Sequence, residues 1–339
     1  MGRFADGTPL TDESLKEWRK IPNALKISKN LERLEELVIP WERVKKLSKT
    51  LKLDEPEDPA DAHKAAIGGL SKPPTVKGKK AILLFTHIPK VGGTTLEYLL
   101  SKNYRINRTL HLNGPELEAR PYLLFKHSML PDVIMGHYRV PSILYQLIDR
   151  PILHITLLRE PVGRIISYYD YLHTAYTHTY YPLVSKMTLA EFVQSGEFVE
   201  IENAQSLRFT GHLRQRSLGF SKYDPEETLA GAKAILRDRM SVFGLTEQYT
   251  KFLIMLQRLL KWQDIYYVRQ NISRQKTSRD SIDPAVMQII QERNAIDIAL
   301  YTYAKELFEE RCSELGITQE DVEKFEAGNK AYQDILIDV

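Results

Sequence analysis

The amino-acid sequence predicts an α/β fold with a central parallel sheet flanked by helices on both faces. From residue 79 onward, short apolar runs alternate with stretches of helical periodicity, the pattern of strand–helix–strand units. One such run, Ala81–Phe85, is short and branched enough to be a buried strand. It leads through a glycine-rich turn into the helical pattern that starts at Thr94. The chain of 339 residues is long enough for such a domain.

Six segments are candidate strands, and helices are expected to follow most of them. They are residues 81–86, 104–111, 132–136, 151–158, 241–245 and 264–269. In a parallel sheet, ligands bind beyond the carboxyl ends of the strands. We therefore expect the functional groups to follow the strands rather than to precede them.

The first 50 residues are predicted to be helical in two pieces, with a helix start at Thr11 and an apolar stripe from Leu31 to Val38. Proline, glycine and charged residues between positions 54 and 74 have the composition of a linker. We predict a helical arm with its linker over residues 1–78 and the main domain over 79–339. The arm either packs on the main domain or binds a partner.

The composition is that of an ordinary globular protein, with 43% hydrophobic and 27% charged residues. A net charge of +3 is too small to predict a nucleic-acid partner. The single cysteine, Cys312, excludes an intrachain disulfide. The N-terminus lacks the apolar core of a signal peptide, and no stretch reaches the ~20 apolar residues of a membrane-spanning helix. The sequence predicts a cytoplasmic protein without a membrane span.

The turn that follows the first strand of the main domain has the composition of an anion cradle. Unpaired N–H groups at a helix start favour negative charge, and glycines let the backbone approach closely. A lysine and two hydroxyls add charge and donors. The loop is not a Walker A sequence, because Lys90 precedes both glycines. The alternative is an ordinary strand–helix turn.

The sequence HIPKVGGTT at 87–95 resembles the 5′-phosphosulfate loop of sulfotransferases, in the form of the carbohydrate branch that includes the heparan sulfate enzymes. One residue departs from that form, Val91 in place of the usual threonine. The resemblance implies a P-loop-like three-layer fold and 3′-phosphoadenosine 5′-phosphosulfate as co-substrate. It assigns the donor loop to Lys90, Val91, Gly92, Gly93, Thr94 and Thr95.

A second motif, at residues 151–171, places an arginine at the end of a predicted strand and a serine eight residues later. Pro161 suits the first position of a helix, so Ser167 lies about two turns into it. By residue type alone, Arg159 either binds phosphate or pairs with Glu160 or Asp170. The LREPVGRIISYY form resembles the sulfotransferase segment in which Arg159 and Ser167 would hold the 3′-phosphate of the donor.

A histidine follows the predicted strand 132–136, and the resemblance places the catalytic base there. Imidazole has a suitable pKa for accepting a hydroxyl proton near neutrality. His137 is therefore the predicted base, with Lys90 as the second catalytic residue. His87 is the rival, interpreted as structural because it lies at the strand–loop junction.

Three further segments carry candidate residues. Asn203 and Arg208 lie in a helix that resembles the family's N-x-Q-x-R motif and either faces the acceptor or braces the site. Residues 271–279 form a basic segment that either closes over the nucleotide or is a solvated charge run. In the first case Asn271 and Arg274 belong to the predicted donor site. The segment FGLTE at 243–247 is interpreted as architectural.

The tyrosine-rich stretch 168–181 directly follows the predicted 3′-phosphate helix. Aromatic faces stack on sugars, and phenol and imidazole groups bond their hydroxyls. His178 and Tyr180 are therefore predicted to contact the acceptor as part of a mobile lid, with core packing as the alternative.

Together these motifs predict transfer of a sulfuryl group to a hydroxyl, most simply that of a carbohydrate, without a metal. Two alternatives stay open, a nucleotide kinase-like phosphotransferase and a non-catalytic glycan- or nucleotide-binding protein on the same fold. The absence of a GK[ST] sequence argues against the first.

Overall fold

The computed structural model describes residues 3–50, 71–113, 131–213, 223–268 and 277–337. The strands in these ranges are β1 Thr75–Val76, β2 Lys79–Lys80, β3 Ile82–Thr86, β4 Thr109–His111, β5 Val133–Gly136, β6 Ile152–Leu158 and β7 Val242–Leu245. The helices are α1 Asp12–Lys20, α2 Asn23–Leu37, α3 Trp41–Thr50, α4 Gly93–Asn103, α5 Leu144–Leu147, α6 Pro161–Thr174, α7 Tyr181–Val184, α8 Leu189–Gln194, α9 Ala204–Thr210, α10 Pro225–Asp238, α11 Tyr249–Leu260, α12 Pro284–Arg293, α13 Ala295–Glu314 and α14 Gln319–Ile337.

Five strands form one parallel sheet in the order β4-β5-β3-β6-β7, and helices flank it. This arrangement confirms the predicted three-layer α/β fold. Every residue of the central strands β3 and β6 is buried, which explains why both read as continuous apolar runs rather than alternating ones. Thr86 pairs with Gly136 and with Thr156, so β3, β5 and β6 end along the same edge.

The predicted strand over 264–269 is wrong for residues 264–268, which form no strand. Backbone groups of this segment form hydrogen bonds with side chains rather than with a neighbouring strand. Asn103 Nδ2 donates to the carbonyl of Asp264 at 2.7 Å, and the N–H of Tyr267 donates to Asn329 Oδ1 at 2.8 Å. These partners on α4 and α14 are distant in sequence, so periodicity does not reveal them.

Two further elements differ from the prediction. Of the candidate strand 104–111 only β4 is extended, because a 3₁₀ turn occupies Ile106–Arg108. A hairpin of β1 and β2, which the sequence pattern did not predict, precedes the sheet. Its turn residues Lys77 and Gly78 both have positive φ, the geometry that matches the twist of a two-residue hairpin.

The N-terminal segment is helical as predicted, but in three helices rather than two. Pro22 and Pro40 stand before α2 and α3, and proline disfavours helix in the residue that precedes it. Leu34 is fully buried, and the N–H of Ile39 donates to the carbonyl of Ile152 in β6 at 2.8 Å. This packing agrees with an arm seated on the main domain; the boundary near residue 78 stays a prediction.

Candidate active site

The predicted anion cradle lies at the carboxyl end of β3, between the strand and α4. Lys90 and Gly92 have φ angles of 68° and 83°, so two left-handed residues turn the chain into the helix. Gly92 is the N-cap of α4 and supplies no side-chain cap. The first N–H groups of this 11-residue helix therefore face the loop with the polarity that favours an anion.

His87 lies beneath the cradle, and its ring explains why position 93 is a glycine. A Cβ atom at Gly93 would lie 2.2 Å from the imidazole ring, so only glycine leaves room for it. The buried ring stacks on Phe85 and donates from Nδ1 to Glu97 Oε1 at 2.8 Å. Burial raises the pKa of Glu97, but the hydrogen bond and charge of His87 outweigh it and lower the pKa overall. These contacts agree with the structural interpretation of His87.

His137 follows β5 directly, and its ring lies 4.3 Å from that of His87 between centroids. Its Nδ1 is 2.8 Å from the carbonyl oxygen of His87. Because a carbonyl only accepts, the proton of the neutral ring must be on Nδ1, which leaves Nε2 as an acceptor. The residue keeps a solvent-exposed surface. Desolvation by the surrounding protein, with the charges of His87 and Arg208, lowers the pKa of His137 to about 4.

Arg159 follows β6 and is tied to the cradle. Its Nη1 donates to the carbonyl of Lys90 at 3.0 Å. Gln205 holds its backbone from both sides, accepting from the N–H and donating to the carbonyl, each at 3.0 Å. Burial lowers the pKa of the guanidinium, which nevertheless stays charged in proteins. The strand-end arginine is thus fixed beside the loop that precedes α4.

The two carboxylates that were possible partners of Arg159 have other partners. Glu160 caps α6 by accepting from the N–H groups of Val162 and Gly163, at 3.2 and 2.7 Å. Asp170 is buried and accepts from the N–H and hydroxyl of Thr277, at 3.1 and 2.7 Å. Pro161 begins α6 as predicted, and the half-buried Ser167 lies two turns along it.

Lys90 is a cation in an unfavourable environment. Partial burial, followed by the positive charge of Arg159, lowers its pKa to about 8, and Asp170 only partly offsets this. The ammonium group lies 4.2 Å from the ring centroid of Tyr171, within the range of a cation–π contact. An anion bound in the cradle would relieve the repulsion between the two cations.

The remaining loop residues differ in what they expose. The side chain of Val91 is fully buried in the core, so only its backbone reaches the cradle. Its carbonyl accepts from Thr246 Oγ1 at 2.7 Å, and the same hydroxyl bonds the carbonyl of Leu158 at 3.1 Å. Thr94 is exposed and Thr95 is buried. The FGLTE segment therefore joins the loop that precedes α4 to the end of β6.

An aromatic row runs from the cradle along the tyrosine-rich segment. The ring of His178 contacts those of Tyr171 and Tyr180, with centroids 5.7 and 5.5 Å away. Tyr180 continues the row to Phe198, at 5.1 Å. Tyr171 thus connects Lys90 with both residues that were predicted to contact the acceptor, while Tyr180 is half-buried against the core.

Asn203 and Arg208 lie in buried contacts. Asn203 Oδ1 accepts from the N–H groups of Ile296 and Asp297, at 3.0 and 3.1 Å, and so caps α13. Asp297 in turn accepts from N–H groups at the start of α9. Arg208 pairs with Glu200, which also pairs with the fully buried Arg164. These contacts favour the bracing interpretation over direct contact with the acceptor.

Two predicted donor residues, Asn271 and Arg274, lie outside the described residues. Arg279, from the same basic stretch, is exposed and pairs with Glu160 Oε2 at 3.2 Å. Gln205 is a site residue that was not predicted from the sequence. The N-x-Q-x-R motif contained it, but its contacts with Arg159 depend on a helix 46 residues further along the chain.

Within the described ranges, no cluster of three or more histidine, cysteine, aspartate or glutamate side chains has the geometry to hold a metal. The same part of the chain contains no helix with the length and apolar character needed to cross a bilayer. The fold and site define an α/β protein in which the glycine loop before α4, the cations Lys90 and Arg159, and His137 lie along one sheet edge.

Residues 34–338 match the model of a family described as galactose-3-O-sulfotransferase. Galactose-3-O-sulfotransferase 3 of Bos taurus is 26% identical in an alignment 263 positions long, which covers 72% of this chain and 60% of that protein. Heparan-sulfate 6-O-sulfotransferase 3 of Mus musculus is 28% identical in an alignment 284 positions long, which covers 70% of this chain and 59% of that protein. The chain thus spans about three fifths of the length of these curated relatives.

The chain belongs to the galactose-3-O-sulfotransferase family, since the match covers most of its length. The resemblance inferred from residues 87–95 and 151–171 to carbohydrate sulfotransferases is confirmed at the level of the family.

Proposed function

We propose that this protein transfers a sulfuryl group from 3′-phosphoadenosine 5′-phosphosulfate to a carbohydrate hydroxyl. One observation carries the proposal: three adjacent parallel strands deliver the cradle, His137 and Arg159 to one sheet edge. Two hydrogen bonds, from Arg159 to Lys90 and from His137 to His87, join these groups into one unit. Family membership supports the same reaction class.

The residues present fit an anionic donor. The left-handed Gly92 and the close-packed Gly93 shape a backbone cradle, with Lys90 as its cation. In this proposal the N–H groups of the loop hold the 5′ group, and Arg159 with Ser167 holds the 3′-phosphate. A guanidinium offers five donors in a planar fork, and one of them already fixes it to the loop. The donor supplies the activated sulfate.

Each catalytic residue has a defined task in this proposal. His137 accepts the acceptor's hydroxyl proton at Nε2, which its bond to the carbonyl of His87 keeps free. The proton moves from oxygen to nitrogen as the oxygen bonds sulfur and the bond between sulfur and the leaving phosphate oxygen breaks. Lys90 donates to the oxygen on which negative charge develops. With a pKa of about 8 it is mostly protonated at pH 7.

We place the acceptor beside the row formed by Tyr171, His178 and Tyr180. This row begins at the cation over Tyr171 and carries aromatic faces with polar tips. His178→Ala and Tyr180→Ala should raise the acceptor KM and leave donor affinity unchanged. Tyr176→Ala is the matched control, because this exposed tyrosine belongs to the same segment. A lower melting temperature with an unchanged KM would instead identify the row as core packing.

The decisive experiment incubates the purified protein with ³⁵S-labelled donor and a panel of polysaccharides, oligosaccharides and simple alcohols. Labelled product from a carbohydrate, absent from the Lys90→Ala variant, is the expected result. A parallel incubation with γ-labelled ATP tests the kinase-like alternative. Tight binding of adenosine 3′,5′-bisphosphate without transfer to any member of the panel would support the non-catalytic alternative. We also propose that the protein is cytoplasmic, and cell fractionation would test this location.

A further inference from the structure

A cavity of about 330 Å³ lies between the N-terminal arm and the main domain. Helices α1 and α2 supply Trp18, Arg19, Lys26 and Asn30 to its lining, and the main domain supplies Arg139 and His212. The volume lies within the range of ~300–1,000 Å³ typical of small-molecule sites. Because the family match begins at residue 34, these arm residues are outside it.

The lining has the charge of an anion site. Arg19, Lys26 and Arg139 are cations, and no carboxylate is found among the described residues that line the cavity. A hydrogen bond joins the two sides of the cavity. Asn30 Nδ2 donates to the carbonyl of Pro141 at 3.3 Å, which ties α2 to the segment that follows β5. A small anionic group in this cavity would therefore meet several positive charges.

The lining also has features of a sugar site. Asn30 is 4% exposed, and its Oδ1 accepts no hydrogen bond within the described part of the chain. A buried amide oxygen without a donor is costly, so a ligand hydroxyl or N–H group is its natural partner. Trp18 stacks on Phe4 with ring centroids 5.7 Å apart, which orients the indole in the cavity wall. Aromatic walls are suited to the apolar faces of sugars.

The cavity adjoins the proposed transfer site. Arg139 is two residues from His137, so their Cα atoms are at most about 7 Å apart. The N–H of Val140 donates to the carbonyl of Arg208 at 3.1 Å, and the charge of Arg208 acts on His137. The lining residue Arg139 is therefore close enough to His137 for the two to contact neighbouring units of one chain of sugars.

We propose that this cavity, which we call the arm pocket, binds an acidic sugar unit of the acceptor, adjacent to the unit that is sulfated. The inference rests on the proposed function, because it assumes a carbohydrate acceptor at His137. The N-terminal arm then selects the acceptor by charge, through residues that the family match does not include.

The test is a binding measurement that needs no turnover. The probes are an oligosaccharide of alternating glucuronic acid and N-acetylglucosamine, its carboxyl-reduced counterpart, and a sulfated oligosaccharide of equal length. Each is titrated calorimetrically into the full chain with adenosine 3′,5′-bisphosphate present. The variants are Arg19→Gln and Lys26→Gln, and the matched control is Lys16→Gln, an exposed lysine of α1 that does not line the pocket.

At least one charged probe should bind at least about tenfold more tightly than the carboxyl-reduced probe. The preference between the two charged probes identifies whether the pocket binds a carboxylate or a sulfate group. Each pocket variant should lose about tenfold in affinity for the charged probe, and the control should lose none. Donor affinity and melting temperature should stay constant. Equal binding of charged and reduced probes, no binding of either charged probe, or equal behaviour of Lys26→Gln and Lys16→Gln would overturn the arm pocket.

The result is separable from the proposed function. Charge-dependent binding that Lys26→Gln weakens, without transfer of label, would retain the arm pocket only as a site for an acidic sugar and would refute the transferase. Transfer of label to an acidic acceptor, with the same KM in Lys26→Gln as in the unmodified protein, would retain the transferase and refute the pocket.

Discussion

Titration of His137 is the most direct test of the proposed base. Its pKa is lowered to about 4, from an ordinary value of 6.5. At pH 5.5 an unperturbed imidazole would be about nine-tenths protonated, whereas His137 should remain almost entirely neutral. The bond to the carbonyl of His87 also fixes the proton on Nδ1. The surroundings of His137 therefore predict both its pKa and its tautomer.

The assay is long-range ¹H–¹⁵N NMR of histidine-labelled protein between pH 4 and 8, with the His137 signal assigned from its loss in His137→Ala. We expect a neutral Nδ1–H ring throughout pH 5.5–8 and protonation only near the acidic end. Bound adenosine 3′,5′-bisphosphate should raise the pKa, because it adds negative charge. A midpoint near 6.5 would contradict the desolvated environment of His137, and a proton on Nε2 would refute the assignment of an Nε2 base.

Kinetics of the same variant complete the test. His137→Ala should lower turnover by about 10²–10⁴ and leave donor affinity nearly intact, as for a general base. His87→Ala is the comparison, since its ring packs beneath the cradle. If His87→Ala alone produced the loss of turnover at constant donor affinity, His87 would be the base.

Three further predictions follow. Arg159→Ala and Ser167→Ala should each weaken binding of adenosine 3′,5′-bisphosphate by about 1–3 kcal/mol. Both should barely affect the binding of a nucleotide without the 3′-phosphate. Equal losses for the two ligands in calorimetry would contradict the assignment of the 3′-phosphate site. Gly93→Ala should abolish donor binding, because its Cβ would meet the ring of His87 at 2.2 Å. Adding His87→Ala should partly restore donor binding. A double variant that binds the donor no more tightly than Gly93→Ala would show that the clash with His87 is not the cause of the loss. Fully buried His154 has a pKa lowered to about 3 by desolvation, so it stabilises the fold above pH 6.5 and loses this contribution as the pH falls below it. In denaturant titrations at pH 4–6, His154→Gln should therefore reduce the pH slope of the unfolding free energy by about 1.4 kcal/mol per unit, and an unchanged slope would contradict a neutral buried ring.

Local signals in the sequence predicted much of this site. An apolar run, two glycines and a helical pattern predicted the strand, cradle and helix, because each depends on residues a few positions apart. Pro161 likewise located the start of α6, since its fixed φ and missing N–H suit that position. The order of the motifs then placed Lys90, His137 and Arg159 after strands of one parallel sheet.

Contacts between distant segments decided what those residues can do. The carbonyl of His87, directly after the neighbouring strand β3, selects the tautomer of His137, and burial together with the guanidinium of Arg159 lowers the pKa of Lys90. Asn203 lies at a helix cap because α13 reaches it from more than 90 residues away. Segment 264–268 is strand-like in sequence but bonds side chains of α4 and α14. Sequence patterns determine which elements form and in what order, whereas the protonation and partners of polar groups depend on packing between elements far apart in the chain.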